Sequence, residues 1–211
     1  MGRALRLDQT EEQRKLPMPT YDYQPERSFV AYVRSTTEGH AGTLDTWEYQ
    51  EDYRNVNPEK RLKQSEGWLT FNLPRDAAAP MGFLFACFFN PEEQKLLYQI
   101  CAYNPASAFH GWSVDISTND YLGLYRTPLA YGKGQFWSLL SNGKEVEAQR
   151  GVLSPVSLVP EGKKAIRVDK QQKGPAVHNT HNLYASVGRG QTVDLVLDII
   201  AVNVPDIPMP R

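Results

Sequence analysis

His178-Asn179-Thr180-His181 places two imidazoles in one short segment, and neutral imidazole is a common ligand of zinc and related cations. With His110 as a third ligand, and Asp115 near it in sequence, the set His110, His178 and His181 could hold a divalent ion that activates a water. That is the chemistry of a metal-assisted hydrolase. The spacing weighs against it, because two histidines three apart on extended backbone point to opposite faces unless the chain turns between them. Neither His-Glu-x-x-His nor the paired Cys/His pattern of zinc modules occurs. A polar surface loop is the simpler reading.

Other fragments of motif fail on one essential residue each. Gly111-Trp112-Ser113-Val114-Asp115 has the start of a nucleophile elbow but Asp115 where the second glycine belongs, and no helix signal after Ser113. Asp115, Ser117 and Asn119 alternate like the head of a calcium loop, yet Asp120 stands at the obligatory glycine and Arg126 at the bidentate glutamate. Gly132-Lys133-Gly134 is neither a dinucleotide fingerprint nor a phosphate loop. The basic stripe Lys163, Lys164, Arg167, Lys170, Lys173 lacks interleaved aromatics and reads as a solvated face rather than a strand-binding groove. No catalytic residue and no cofactor follows from any of these.

Aromatic density is the more suggestive signal, with four tryptophans and eleven tyrosines in 211 residues. Trp47, Tyr49 and Tyr53 lie in a polar, acidic stretch, and Tyr121, Tyr125, Tyr131, Phe136 and Trp137 cluster around the middle turns; Trp47, Tyr49, Trp112, Tyr125 and Trp137 are the candidate ligand-binding rings. Flat rings beside Asn, Asp and Gln stack on sugars or anchor a protein partner. Filling a core is the competing use of the same residues.

The elements that must carry these side chains are strands. Phe29, Ala31 and Val33 alternate with Val30, Tyr32 and Arg34; Leu69, Phe71 and Leu73 alternate with Thr70 and Asn72. Thr43 to Tyr49 is a weaker strand, and Asn55 to Ser65 reads as a loop or short helical turn. Gly82 to Phe89 is apolar throughout, as in a strand covered on both faces. Asn90 to Ala102 is ambiguous between a helix and the return strand of a hairpin, and the β-like surroundings favour the hairpin. Trp112 to Ile116 with Tyr121 to Arg126 makes a second hairpin. Asn142-Gly143 between Phe136 to Ser141 and Lys144 to Gln149 predicts a third, with a type I′ turn. Further strands are expected at Pro155 to Val159, Ala165 to Asp169, Leu183 to Val187 and Thr192 to Val204. The second half of that last strand is apolar on both faces.

Such a succession predicts an all-β fold, an antiparallel β-sandwich of jelly-roll-like or immunoglobulin-like kind. Residues 1–27 read as an N-terminal arm with a short helix over Gln9 to Lys15, residues 28–204 as the β domain, and residues 205–211 as an extended Pro-rich tail. Cys87 and Cys101 sit in hydrophobic runs and read as buried free thiols.

A formal charge of −1 supplies no field for nucleic acid. No apolar run approaches the roughly 20 residues of a membrane-crossing helix, and the amino terminus has no apolar signal region. A cytoplasmic protein, or one released without a recognisable signal peptide, is expected. Function is then expected to be non-catalytic: recognition or self-assembly as a homo-oligomer or with a protein partner, the arms packing on neighbours. A lectin-like carbohydrate-binding module is the alternative, and the metal-assisted hydrolase a third.

Overall fold

The structure, a computed structural model, describes residues 21–51, 60–77, 79–127, 134–172 and 181–210. The expected helix at Gln9 to Lys15 lies outside these residues. In chain order the first strands are β1 (Asp22–Tyr23), β2 (Phe29–Ser35), β3 (Gly42–Asp45), β4 (Trp47–Glu51), β5 (Lys60–Gln64) and β6 (Thr70–Leu73). Next come β7 (Gly82–Asn90), β8 (Lys95–Tyr103), β9 (Ser113–Ile116), β10 (Leu122–Tyr125), β11 (Trp137–Ser141) and β12 (Lys144–Glu145). The last are β13 (Gly151–Pro160), β14 (Arg167–Gln172), β15 (His181–Ser186), β16 (Gln191–Thr192) and β17 (Leu195–Val202). The fold is all-β, and its strand ladders are antiparallel.

The pairings β2–β7, β7–β8, β8–β11, β11–β13, β13–β17 and β17–β2 close a ring of six strands. Nine further strands of the same sheet lie outside it, and β4 and β5 pair as a separate two-stranded sheet, so the architecture is a barrel core with additions and not clearly a sandwich. Closure disposes of the unpaired edges that two stacked sheets would leave. The ring interior is filled by alternate residues, as the two-residue period requires. Phe29 and Phe85, paired across β2 and β7, stack with ring centroids 4.6 Å apart, and Tyr98 meets both edge-on.

Gly82 to Phe89 is covered on both faces, as its sequence implies. Phe83, Phe85 and Cys87 face the ring interior, while Leu84, Ala86 and Phe88 belong to two outer clusters. Those clusters are completed by chain ends. Tyr21 and Tyr23 pack on Phe88 and its neighbours, and Ile207 reaches both clusters. The Tyr23 hydroxyl sits 3.2 Å from the carbonyls of Val204 and Pro205. The tail continues to Gly111, where a Cβ would lie 2.6 Å from the Met209 carbonyl carbon. The described parts of both expected arms therefore fold back on their own barrel, because the outer face of β7 and β8 is apolar and needs a cover. The end of β17 is only half covered: Val202 packs on the main core and Ala201 on an outer cluster, while Ile200 stays 41% exposed.

Asn90 to Ala102 is the hairpin, with nine register pairs from Gly82↔Tyr103 to Asn90↔Lys95. The residues that resemble a helix start make a tight turn instead, since Asn90 Oδ1 accepts from the backbone N–H groups of Glu92 and Glu93. Asn142 and Gly143 both have positive φ, as the type I′ turn demands. One segment corrects the expectation: Lys60–Gln64, read as loop, is a strand paired with β4. Its charged, non-alternating sequence hides it, and it exists because β4 offers an edge.

Candidate functional site

Gly67 to Leu69 runs antiparallel beside β10. Trp68 pairs with Gly123, Leu124 N–H donates to the Gly67 carbonyl at 2.8 Å, and Leu69 N–H to the Leu122 carbonyl at 3.1 Å. Trp68 is 36% exposed, the most exposed of the four tryptophans. It forms one wall of a cleft of about 250 Å³, together with Asn119, Tyr121, Gln171 and Tyr184. The walls stand nearly at right angles: Trp68 to Tyr121 is 6.4 Å between centroids at 83°, and Tyr121 to Tyr184 is 5.7 Å at 69°.

Each wall is held from behind. The Tyr121 hydroxyl donates to Asp169 Oδ2, and Gln171 Nε2 donates to the same oxygen at 2.8 Å and to the Tyr121 hydroxyl at 2.6 Å. The Arg189 guanidinium lies 5.7 Å from the Tyr121 ring centroid. Burial, and then the bond to Asp169, raise the Tyr121 pKa above its ordinary value, with Arg189 acting the other way. The Tyr184 hydroxyl donates to buried Glu48 at 2.9 Å; burial first, then the Glu48 charge, push its pKa strongly upward. Both phenols therefore stay protonated near neutral pH and serve as hydrogen-bonding walls.

The turn Ser117 to Asp120 brings Asn119 to the rim. Ser117 Oγ accepts from the N–H groups of Asn119 and Tyr121, and Asp120 takes φ 65°. The alternation Asp115, Ser117, Asn119 thus forms a turn with polar ends. Asp120 seats the turn: its carbonyl accepts from Val187 N–H, its carboxylate meets Lys163 at 3.1 Å, and a Cβ on Gly188 would strike it at 2.5 Å. Lys163 and Arg167, two cations of the basic stripe, are engaged within the chain, Arg167 donating to the Gly190 carbonyl.

The aromatics singled out from the sequence do not share one site. Trp137 is fully buried and offers no face to a ligand. Trp112 is half-buried, packs on the core and meets Phe109 edge-on at 5.1 Å. Trp47 lines a polar cleft with Asp45, Gln64 and Asn104, and Tyr49 another with Lys170 and His181. Tyr125 lines a cleft of about 190 Å³ with Glu66, Gly67, Trp68, Gly123 and Leu124, so it alone of the five adjoins Trp68. His110 meets Tyr103 edge-on at 5.6 Å in the turn before β9, His181 opens β15, and His178 lies outside the described residues. Among the described residues no three His, Cys, Asp or Glu side chains converge to hold a metal.

Tyr49 owes its place to a buried amide. Asn182 Oδ1 accepts from Tyr49 N–H at 2.8 Å, and Asn182 Nδ2 donates to the Tyr49 carbonyl at 3.2 Å, as a neighbouring strand would. Asn72 donates to Asn182 Oδ1 and to the Trp47 carbonyl, and accepts from Leu183 N–H. Thr70 and Asn72, the polar face of an alternating strand, thus dock β4 instead of facing water. Asn182→Ala leaves several buried polar groups without partners, at roughly 1–3 kcal/mol each. A fall in the urea midpoint equivalent to about 2–4 kcal/mol is expected.

Parity alone does not disclose Trp68: on the alternating strand it shares a face with Thr70 and Asn72, yet both of those are buried against β4, so the exposure of the indole follows from tertiary packing. Comparison of the chain with family models, with curated proteins and with solved structures finds no match in any of the three.

Proposed function

We propose that this chain is a non-catalytic recognition protein of the lectin-like kind, holding a sugar ring in the cleft walled by Trp68, Tyr121 and Tyr184. The observation that carries the reading is Trp68: a large aromatic left exposed beside a cleft whose other lining is phenol hydroxyls and the side-chain amides of Asn119 and Gln171. An apolar ring face with amides and hydroxyls at its edge matches a pyranose, which presents C–H groups on its face and hydroxyls around its rim. The Tyr121, Gln171 and Asp169 bonds fix the walls in advance, which lowers the ordering cost of binding.

Self-assembly as an expectation drew on arms free to reach a neighbour. Their described parts cover β7 and β8 of the same chain, and the cleft supports the recognition half of that expectation. Titration of tryptophan fluorescence across a glycan panel tests it. Binding is expected to shift the emission, and Trp68→Ala to weaken it tenfold or more, the equivalent of about 1.4 kcal/mol. Emission indifferent to every sugar would remove the reading.

A further inference from the structure

We infer that the ligand is a neutral oligosaccharide of at least two rings, bound in two adjoining subsites that share Trp68 as their common wall; this rests on the lectin-like reading. Trp68 lines both the cleft with Tyr121 and the cleft with Tyr125. The strand register explains why. Trp68 lies opposite Gly123, and Tyr121 and Tyr125 stand two residues to either side of that glycine, on the same face of the strand. The indole is thus diagonal to both phenols. Tyr121, Trp68 and Tyr125 form a row, and four residues of extended chain span roughly 14 Å. A single sugar ring is too short for that row.

Gly123 keeps the floor of the row low: it has no side chain, and a Cβ there would sit 3.3 Å from the Tyr125 ring. Hydrogen-bonding groups accompany both clefts: Asn119 and Gln171 line the first, with Asp169 behind Tyr121, and Glu66 the second. The charges near the row have both signs, with Glu66 and Asp169 set against Arg189, which suits a neutral polyol better than an anion or a cation. A proline-rich peptide would also lie along an aromatic row, but it has few groups for the amides and carboxylates at the rim.

The test is calorimetry on the full chain with linear β-1,4-glucose, α-1,4-glucose and β-1,4-N-acetylglucosamine oligomers of one to six rings. In at least one series, affinity is expected to rise tenfold or more between one ring and three, then level off. Tyr125→Ala should bring the trimer-to-monomer affinity ratio toward one, and Tyr125→Phe should preserve it. Equal affinity for one ring and three, or a length gain untouched by Tyr125→Ala, overturns the second subsite while the lectin-like reading stands. Binding of a polyproline peptide with no saccharide bound, or no binding in any series, overturns both.

Discussion

Trp137→Ala is expected to destabilise the protein by about 3–5 kcal/mol, the usual cost of emptying a large aromatic from a packed core. Trp137 is fully buried, and its pairing with Tyr98 is the register pair that joins β11 to β8 and so closes the six-stranded ring. The other junctions of the ring rest on longer ladders, such as the seven pairs between β17 and β2. The indole therefore does at this seam, by packing, what hydrogen bonds do elsewhere. For a chain of this size the melting temperature should fall by roughly 6–20 °C. Trp137→Phe should lose much less, because the buried Trp137 indole N–H has no hydrogen-bond partner among the described residues, and phenylalanine removes that polar group along with some volume. Thermal melts followed by circular dichroism decide it. A shift under about 2 °C in the alanine variant would show that the ring closes without this side chain. Trp68→Ala is the internal control, since a half-exposed indole at a cleft wall contributes little to stability.

The same contrast explains what the sequence could and could not disclose. The two-residue rhythm of Phe29 to Val33, the doubly apolar run Gly82 to Phe89 and the Asn142-Gly143 turn are local signals, and each appears in the structure as read. Ring closure is not local: it depends on β2 pairing with β7 as well as β17, and no residue type announces a second partner. The site was hidden for a related reason. Trp137 and Trp68 are the same residue type, each next to one large apolar neighbour, and tertiary packing buries one and exposes the other. Asp169 and Gln171 come from β14, Tyr184 from β15 and Tyr121 from the turn just before β10, the last more than forty residues from the others, and their meeting is fixed by strand register. Two clues were available: aromatic density gathers Tyr121 and Tyr125 around the middle turns, and parity sets both on one face of the strand.

Alkaline pH should unfold the protein through its two thiols. Cys87 points into the ring, where Tyr98 is its cross-strand neighbour, and Cys101 lies in the outer cluster with Val30 and Leu84, beneath Val204 and Ile207. They sit on opposite faces of the β7–β8 hairpin as separate buried thiols. Burial pushes the Cys87 thiol from an ordinary 9.0 up to about 12, the Tyr98 hydrogen bond opposing it, and burial alone does the same for Cys101. Below pH 9 both thiols keep their protons whether the chain is folded or not, so they add no pH dependence. Between pH 9 and 12 the unfolded chain releases protons that the folded chain retains, and stability falls as pH rises. The loss reaches about 4 kcal/mol for each thiol by pH 12, comparable together to the whole stability of an ordinary domain. Tyr98 and Tyr184, whose pKa values are also raised, chiefly by burial, steepen the fall above pH 10. Urea midpoints should therefore be level from about pH 7 to 8.5 and drop sharply above pH 9. In the Cys87→Ala/Cys101→Ala double variant the decline should begin about one unit higher, where the tyrosines of the unfolded chain start to ionise. An unchanged profile in that variant would place the titrating groups elsewhere and show that these thiols reach solvent.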